Sequence, residues 1–256
     1  MNFFAGASRN SNLMSMSEPN KALSRNLSRY ARDFLCDPLA FRGQQLRGGG
    51  PVAEFEQALA ERCGYAYCVA TCNATTALIG LVLALKLTKR TVWFPKGHWE
   101  GSVSAFRIAG VRIRRYGLPV GGRRLPQPAS GGVGALVVGS DTLEQEMQSY
   151  SGCGWVIEDS NRLPGVNFPL DGCSKADIQV LSFGPGKPMP LGEGGAVLLR
   201  KRKTYEAFVR VTQHPERVKA EFGGDTHVSR HCVNGRIHPM SALLGVELLQ
   251  RLADCR

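Results

Sequence analysis

Leu181–Arg200 reads LSFGPGKPMPLGEGGAVLLR. The apolar run Ile178 to Phe183 leads into this stretch, and a second run, Ala196 to Leu199, closes it. Both are short and bounded by glycine and proline, which marks buried strands rather than helix. Between them stands one amine, Lys187, with glycines and prolines fixing its backbone and no carboxylate beside it in sequence. A lysine taken out of water loses proton affinity and becomes a nucleophile, and its natural product with a carbonyl is a Schiff base. A plain loop lysine has the same local sequence, so Lys187 alone decides nothing.

Outward from this stretch the chain alternates strand and helix. PVAEFEQALAERC, Pro51 to Cys63, has proline in its first turn, apolar residues at 52, 55 and 59, and Gly64 as a stop. Tyr67 to Thr71 reads as a strand, and Ala74 to Leu87 as a helix apolar nearly all round, hence buried. Strands follow at Thr91 to Phe94, Val111 to Tyr116, Ala135 to Val138, Gly154 to Ile157, Ile178 to Phe183 and Ala196 to Leu199. Helices are expected from about Trp99, over 142 to 149, from Lys203 onward, and over Met240 to Leu252. Gly121 to Gly134 is a Gly/Pro-rich connector. Asn20 to Leu35 has helical periodicity behind a polar, loose segment 1 to 19. Strands alternating with helices imply an α/β fold, a mostly parallel sheet covered on both faces. The organisation expected is 1–47 as an N-terminal polar segment and helix, and 48–256 as one large domain.

Composition narrows the function. With 256 residues the chain buries a sizeable core. Its longest apolar window, Ala77 to Leu87, is too short for a membrane span. No basic n-region with an apolar h-region opens the chain, so no signal peptide is expected. The eight cysteines form no CxxC pair and no metal spacing, and they read as reduced thiols of a cytoplasmic protein. Net charge is +11, from 32 Lys and Arg against 21 Asp and Glu. Arg25, Arg29 and Arg32 share one helical face, Arg112, Arg114 and Arg115 flank a strand, and 200 to 203 is a basic run. No nucleic-acid motif accompanies this charge, which suits a solvated surface or a phosphorylated ligand.

In parallel sheets, ligands sit beyond the C-terminal strand ends. Two further features fall there. In VATCNATTALIGLVLAL, Val69 to Leu85, the amides near Ala74, Thr75 and Thr76 open a helix and make an anion site; Asn73 or Thr75 could equally cap that helix. In GWVIEDSNR, Gly154 to Arg162, Glu158 and Asp159 follow a strand, where a carboxylate serves a metal, a base, a protonated ring nitrogen or a helix cap. Taken with Lys187 these are the partners of pyridoxal phosphate: amides for the phosphate, Asp159 for the pyridinium, Lys187 for the aldehyde. No metal is expected.

The same residues resemble the DegT/DnrJ/EryC1/StrS sugar aminotransferases. GGGPVAEFEQALAERCGYAYCVATCNATTAL is similar to the family's opening, VIEDSNRLPG to its Glu-Asp stretch, SFGPGKPMPLGEGGAV to its Ser-Phe-x-x-x-Lys and Gly-Glu-Gly-Gly, and VNGRIHPMSALLGVELLQRL to its Asn-x-Arg helix. The resemblance implies fold type I of the pyridoxal phosphate enzymes, a three-layer α/β sandwich. It further implies biosynthetic transamination from an amino acid to a keto sugar. On that likeness Lys187 and Asp159 are catalytic, Ser182, Ala74 and Thr75 hold phosphate, Trp99 stacks on the ring, and Asn234 reaches a neighbour's phosphate in a homodimer. Three departures stand out. The chain stops at Arg256, where the family continues into a small domain. Arg162 replaces a Gln or His and is expected to grip an anionic group of the substrate or of the cofactor phosphate. Ala74 replaces a glycine. Another pyridoxal phosphate reaction, such as elimination or decarboxylation, and a non-catalytic regulatory protein on the same scaffold remain as alternatives.

Overall fold

The computed structural model describes residues 18–37, 45–117, 133–139, 154–169, 171–223 and 232–254. The chain divides after Pro38 into two compact units. In the first, α1 (Glu18–Cys36) carries Arg25, Arg29 and Arg32 exposed to solvent. It begins at Glu18, inside the stretch 1 to 19 that reads as loose.

The second unit holds the sheet. Its elements are α2 (Pro51–Cys63), β1 (Tyr67–Thr71), α3 (Ala74–Ala84), β2 (Thr91–Pro95), α4 (Glu100–Ile108), β3 (Arg112–Tyr116) and β4 (Val133–Val138). They continue with β5 (Val156–Asp159), β6 (Ile178–Ser182), β7 (Gly195–Leu199), α5 (Arg202–Thr212), α6 (Pro215–Phe222) and α7 (Pro239–Asp254). The seven strands run in the order β1-β7-β6-β5-β4-β2-β3. β2 through β6 pair in parallel, whereas β7 lies antiparallel to both β1 and β6. The α/β expectation of a mostly parallel sheet holds, with β7 as its antiparallel strand.

Alternation along the strands sorts the core into layers. Val69, Val180, Val197 and Leu199 face α3, α4 and α5, packing with Leu78, Leu81, Phe106 and Phe208. Ala70, Leu181, Ala196 and Leu198 face the other way, against Phe55 and Leu59 of α2 and Ala242, Val246 and Leu249 of α7. All five residues of β7 are buried. Each fully buried Val or Leu contributes about 1.5–3 kcal/mol of transfer free energy, so β7 is the most heavily anchored strand.

Several boundaries differ from the sequence reading, three of them near the site or the core helix that leads from it. β5 runs Val156–Asp159 and takes in both carboxylates. β4 begins at Val133, inside the expected connector. α3 ends at Ala84 rather than Leu87, because Lys86 adopts a left-handed φ of 55°. Leu87 N–H then donates to Val82 O (2.9 Å) and Lys86 N–H to Leu83 O (3.1 Å), the double bond of a Schellman cap. α2 ends the same way at Gly64, φ 68°. The helix expected over 142 to 149 lies outside the described residues.

One buried ion pair ties the layers together. Arg217, 2% exposed, donates to both Glu56 oxygens at 2.9 and 2.7 Å and to Glu221 at 2.7 Å. The Ala70 amide donates to the same Glu56 at 2.7 Å. This couples α6, α2 and β1. Removing one member strands the other charge in the core, which costs about 3–5 kcal/mol. Glu56→Gln is therefore expected to lower unfolding free energy by about that amount in urea denaturation; a loss below about 1 kcal/mol would show that Arg217 finds other solvation.

Candidate active site

The strand register brings several chain reversals to one sheet edge. Thr71, the last residue of β1, pairs with Gly195, the first of β7, which pairs with Ser182, the last of β6. Asp159 ends β5 beside Val180, and Pro95 ends β2 on the same side. Here α3 begins, and here the β6–β7 loop leaves and returns.

The start of α3 is built by its own residues. Asn73 sits in extended backbone and its Oδ1 accepts from Thr76 N–H at 2.7 Å, the N-cap bond. Thr71 Oγ1 donates to Asn73 O at 3.0 Å. The amides of Ala74 and Thr75 have no acceptor among the described residues, so they stay available with the positive end of the helix dipole. Gly195 makes this approach possible: a Cβ there would lie 2.6 Å from Ala74 N and from Asn73 C. Gly235 packs as closely, with a Cβ 2.6 Å from Thr76 Cγ2, and its carbonyl accepts from Cys72 N–H at 2.7 Å.

Lys187 rides on the β6–β7 loop, whose backbone is pinned at three points. Phe183 N–H donates to Gly194 O (2.9 Å), Leu191 N–H to Phe183 O (2.9 Å) and Lys187 N–H to Gly184 O (3.3 Å). Phe183, Met189 and Leu191 are buried and fasten the loop to the core. The Lys187 side chain is half-buried and has no ion pair or hydrogen bond among the described residues. Ser182 is half-buried, and its backbone N–H donates to Asn161 Oδ1 at 3.0 Å.

The two carboxylates of β5 have opposite surroundings. Glu158 is fully buried; its Oε1 accepts from Ser160 Oγ (2.5 Å) and Arg162 Nε (3.1 Å), and its Oε2 has no partner among the described residues. Asp159 Oδ2 lies 2.8 Å from His98 Nε2. Arg162, whose side chain is 13% exposed, points inward onto Glu158 and stacks 4.5 Å over Phe168. The site thus turns the expected substrate cation toward the core. Trp99, by contrast, is 77% exposed, its indole resting on Gly101.

Asn234 is exposed and accepts from Arg236 Nε at 2.9 Å. Its segment bridges to Thr71 through Arg236, which sets it beside the start of α3 in its own chain. His98, Asn161 and the role of Gly195 are missing from the sequence reading. His98 carries one cue, its place directly before Trp99 at the end of β2. Buried thiols do not compete as nucleophiles: burial pushes Cys63 up to about 12 and Cys68 well above its usual value. Among the described residues, no cluster of three metal-ligating side chains forms.

Gly195→Ala should overpack the Asn73–Ala74 turn and destabilise by about 1–3 kcal/mol; Asn73→Ala should cost about 1 kcal/mol through the lost cap. Chemical denaturation of both variants checks this, and an unchanged Gly195→Ala would mean that β7 and α3 can separate freely.

The sequence pattern of the DegT/DnrJ/EryC1/StrS aminotransferase family matches residues 39–112 and 155–256. A UDP-4-amino-4,6-dideoxy-N-acetyl-beta-L-altrosamine transaminase of Campylobacter jejuni subsp. jejuni serotype O:23/36 (strain 81-176) is 24% identical over 227 residues, 83% of this chain and 60% of the relative. A DegT DnrJ EryC1 StrS aminotransferase from Brucella abortus superposes with a TM-score of 0.70 at 18% identity, over 92% of this chain and 66% of that one. DesI, solved in the presence of its TDP-sugar product, gives 0.66 at 24% identity, over 92% and 59%. The chain therefore spans about three-fifths of the length of the curated relatives it matches. With more than half of its residues matched by one family pattern, and with that family's fold, this chain belongs to the DegT/DnrJ/EryC1/StrS aminotransferase family.

Proposed function

We propose that this protein is a pyridoxal phosphate-dependent aminotransferase of sugar biosynthesis. It would move an amino group from an amino acid to a keto sugar. One observation carries the reading: a half-buried Lys187 on a pinned loop, at the same sheet edge as Asp159 and the first amides of α3, with neither the lysine side chain nor the Ala74 and Thr75 amides partnered among the described residues. Residues 48–256 would form the cofactor-binding domain.

The residues present fit this cofactor. The Ala74 and Thr75 amides, with Ser182 Oγ, would hold the phosphate end. Asp159 has one oxygen left over from its bond to His98 and would hold the ring nitrogen. Lys187 Nζ would hold the aldehyde end and, when released from it, take and return a proton at the substrate carbon. Trp99 would cover one ring face, where its exposed indole gains apolar contact. When bound, pyridoxal phosphate supplies an electron sink that stabilises negative charge on that carbon. Arg162 is assigned to supporting Glu158, not to substrate, because its pairing and its stacking both face inward.

The Campylobacter relative is named for a UDP-linked amino sugar, which supports a nucleotide-linked keto sugar as acceptor. A diphosphate also suits a chain of net charge +11. A homodimer with Asn234 completing the partner's phosphate site is part of the same reading, supported by the exposure of Asn234 beside the start of α3. A cytoplasmic location is proposed on the free cysteines. Among the described residues no helix is long and apolar enough to cross a membrane.

Reduction with borohydride after incubation with pyridoxal phosphate should place a pyridoxyl group on the peptide holding Lys187. Lys187→Ala should abolish both the label and amine transfer. Asp159→Asn should keep part of the binding and lose turnover by at least roughly a hundredfold. Label on another lysine, or none at saturating cofactor, would overturn the assignment. Sedimentation should give a dimer mass, and mixing Lys187→Ala with Asn234→Asp chains should restore a fraction of wild-type activity. A fully active monomer would refute the shared site.

A further inference from the structure

We infer that His98 is a positioning residue: it holds Oδ2 of Asp159 and so aims Oδ1 at the ring nitrogen of the bound cofactor. This rests on the functional reading above. The contact is 2.8 Å between His98 Nε2 and Asp159 Oδ2, and the two side chains are only 9% and 15% exposed. A carboxylate accepts only, so Nε2 carries the hydrogen and Nδ1 faces away from the pair. Among the described residues the Asp159 carboxylate has no other hydrogen bond, which leaves Oδ1 unclaimed.

Local structure delivers this geometry. β2 ends at Pro95, and His98 N–H donates back to Pro95 O at 3.3 Å. Gly97 takes φ 81° inside that turn, a value that favours glycine and is the pattern of a type II turn. Lys96 N–H donates to Tyr116 O of β3 at 2.7 Å and steadies the turn from the sheet edge. The reversal sends the imidazole across the end of β4, which lies between β2 and β5, to reach Asp159. The ring is braced on Phe94, with centroids 5.5 Å apart, and Phe94 is itself fully buried against Phe106 at 5.0 Å. His98 therefore joins an immobile core aromatic to a carboxylate at the site.

An Asp side chain at a strand end rotates about χ1 and χ2 unless something holds it. With one oxygen fixed by a braced donor, the carboxylate plane is set before a ligand arrives. Removal of the donor leaves the Asp159 carboxylate, 15% exposed, without the partner that fixes its orientation.

The test uses the full chain. In cofactor-free protein, nitrogen-15 NMR of His98 should show the hydrogen on Nε2 in wild type, and Asp159→Asn should shift that signal. Titration with pyridoxal phosphate should show His98→Phe binding roughly tenfold more weakly than wild type, with a displaced absorption maximum. His98→Gln, whose amide restores a donor, should stay within about threefold of wild type. A wild type that takes up no pyridoxal phosphate overturns the functional reading and this role with it, while the NMR signal still decides the hydrogen bond. A wild type that binds normally, with His98→Phe equal to it in affinity and absorption, overturns the positioning role alone. Should His98→Phe fail to fold, the NMR shift and the Gln variant decide, and failure of either refutes the inference.

Discussion

β7 runs antiparallel between β1 and β6, buried at all five residues and hydrogen-bonded along both edges. Its backbone groups have no outlet except those neighbours, so the register is rigid. That register sets Thr71, Gly195 and Ser182 in one row. The chain must then reverse between Ser182 and Gly195, and the reversal is the loop that carries Lys187. Gly195 has no side chain because the first turn of α3 occupies the space where a Cβ would go. The amine and the helix amides thus share one place because a single strand fixes both.

β5 shows how two adjacent carboxylates divide. Strand alternation sends Glu158 and Asp159 to opposite faces. Glu158 lands where water is excluded, and a lone charge there is costly, so Ser160 and Arg162 gather on it. This decides the direction of Arg162 without reference to any substrate. The cation closest in sequence to Asp159 is drawn inward, which leaves His98 as the group that meets Asp159. The expectation that Arg162 grips an anionic ligand came from its departure from the family pattern, and a sequence carries no information on how deep Glu158 lies.

The layered fold was legible because apolar runs of strand length, bounded by Gly and Pro, alternate with helical patterns. The placement of Lys187, Asp159 and the α3 amides at one end of the sheet was legible because each belongs to a continuous motif at a strand end. Helix ends were less so. Gly64 signalled the end of α2, whereas Lys86 ends α3 in the same left-handed conformation with a residue that ordinarily avoids it. The direction of β7 was also hidden, since an apolar run looks the same in either sense, although the loop before it has no helical pattern for a parallel crossover. His98, Asn161 and the Arg162–Glu158 pair depend on contacts between separate segments or on depth in the core. No spacing rule reaches them.

His98 and Trp99 are neighbours in sequence and opposite in environment, one almost enclosed and the other 77% exposed. The divergence follows from where the chain changes conformation. His98 closes the turn after β2, while Trp99 is the cap residue of α4, with φ −54° and ψ 120°. A residue in that extended conformation projects away from its predecessor, so a ring drawn inward is followed by one turned out. An indole left in water at the edge of a sheet offers apolar area to any flat ligand that arrives. The imidazole beside it is already committed to a carboxylate and to Phe94. A single tight turn therefore supplies one side chain fixed by the protein and one whose contacts remain to be completed. That division is what a site needs if it is to be ordered before binding and closed by it.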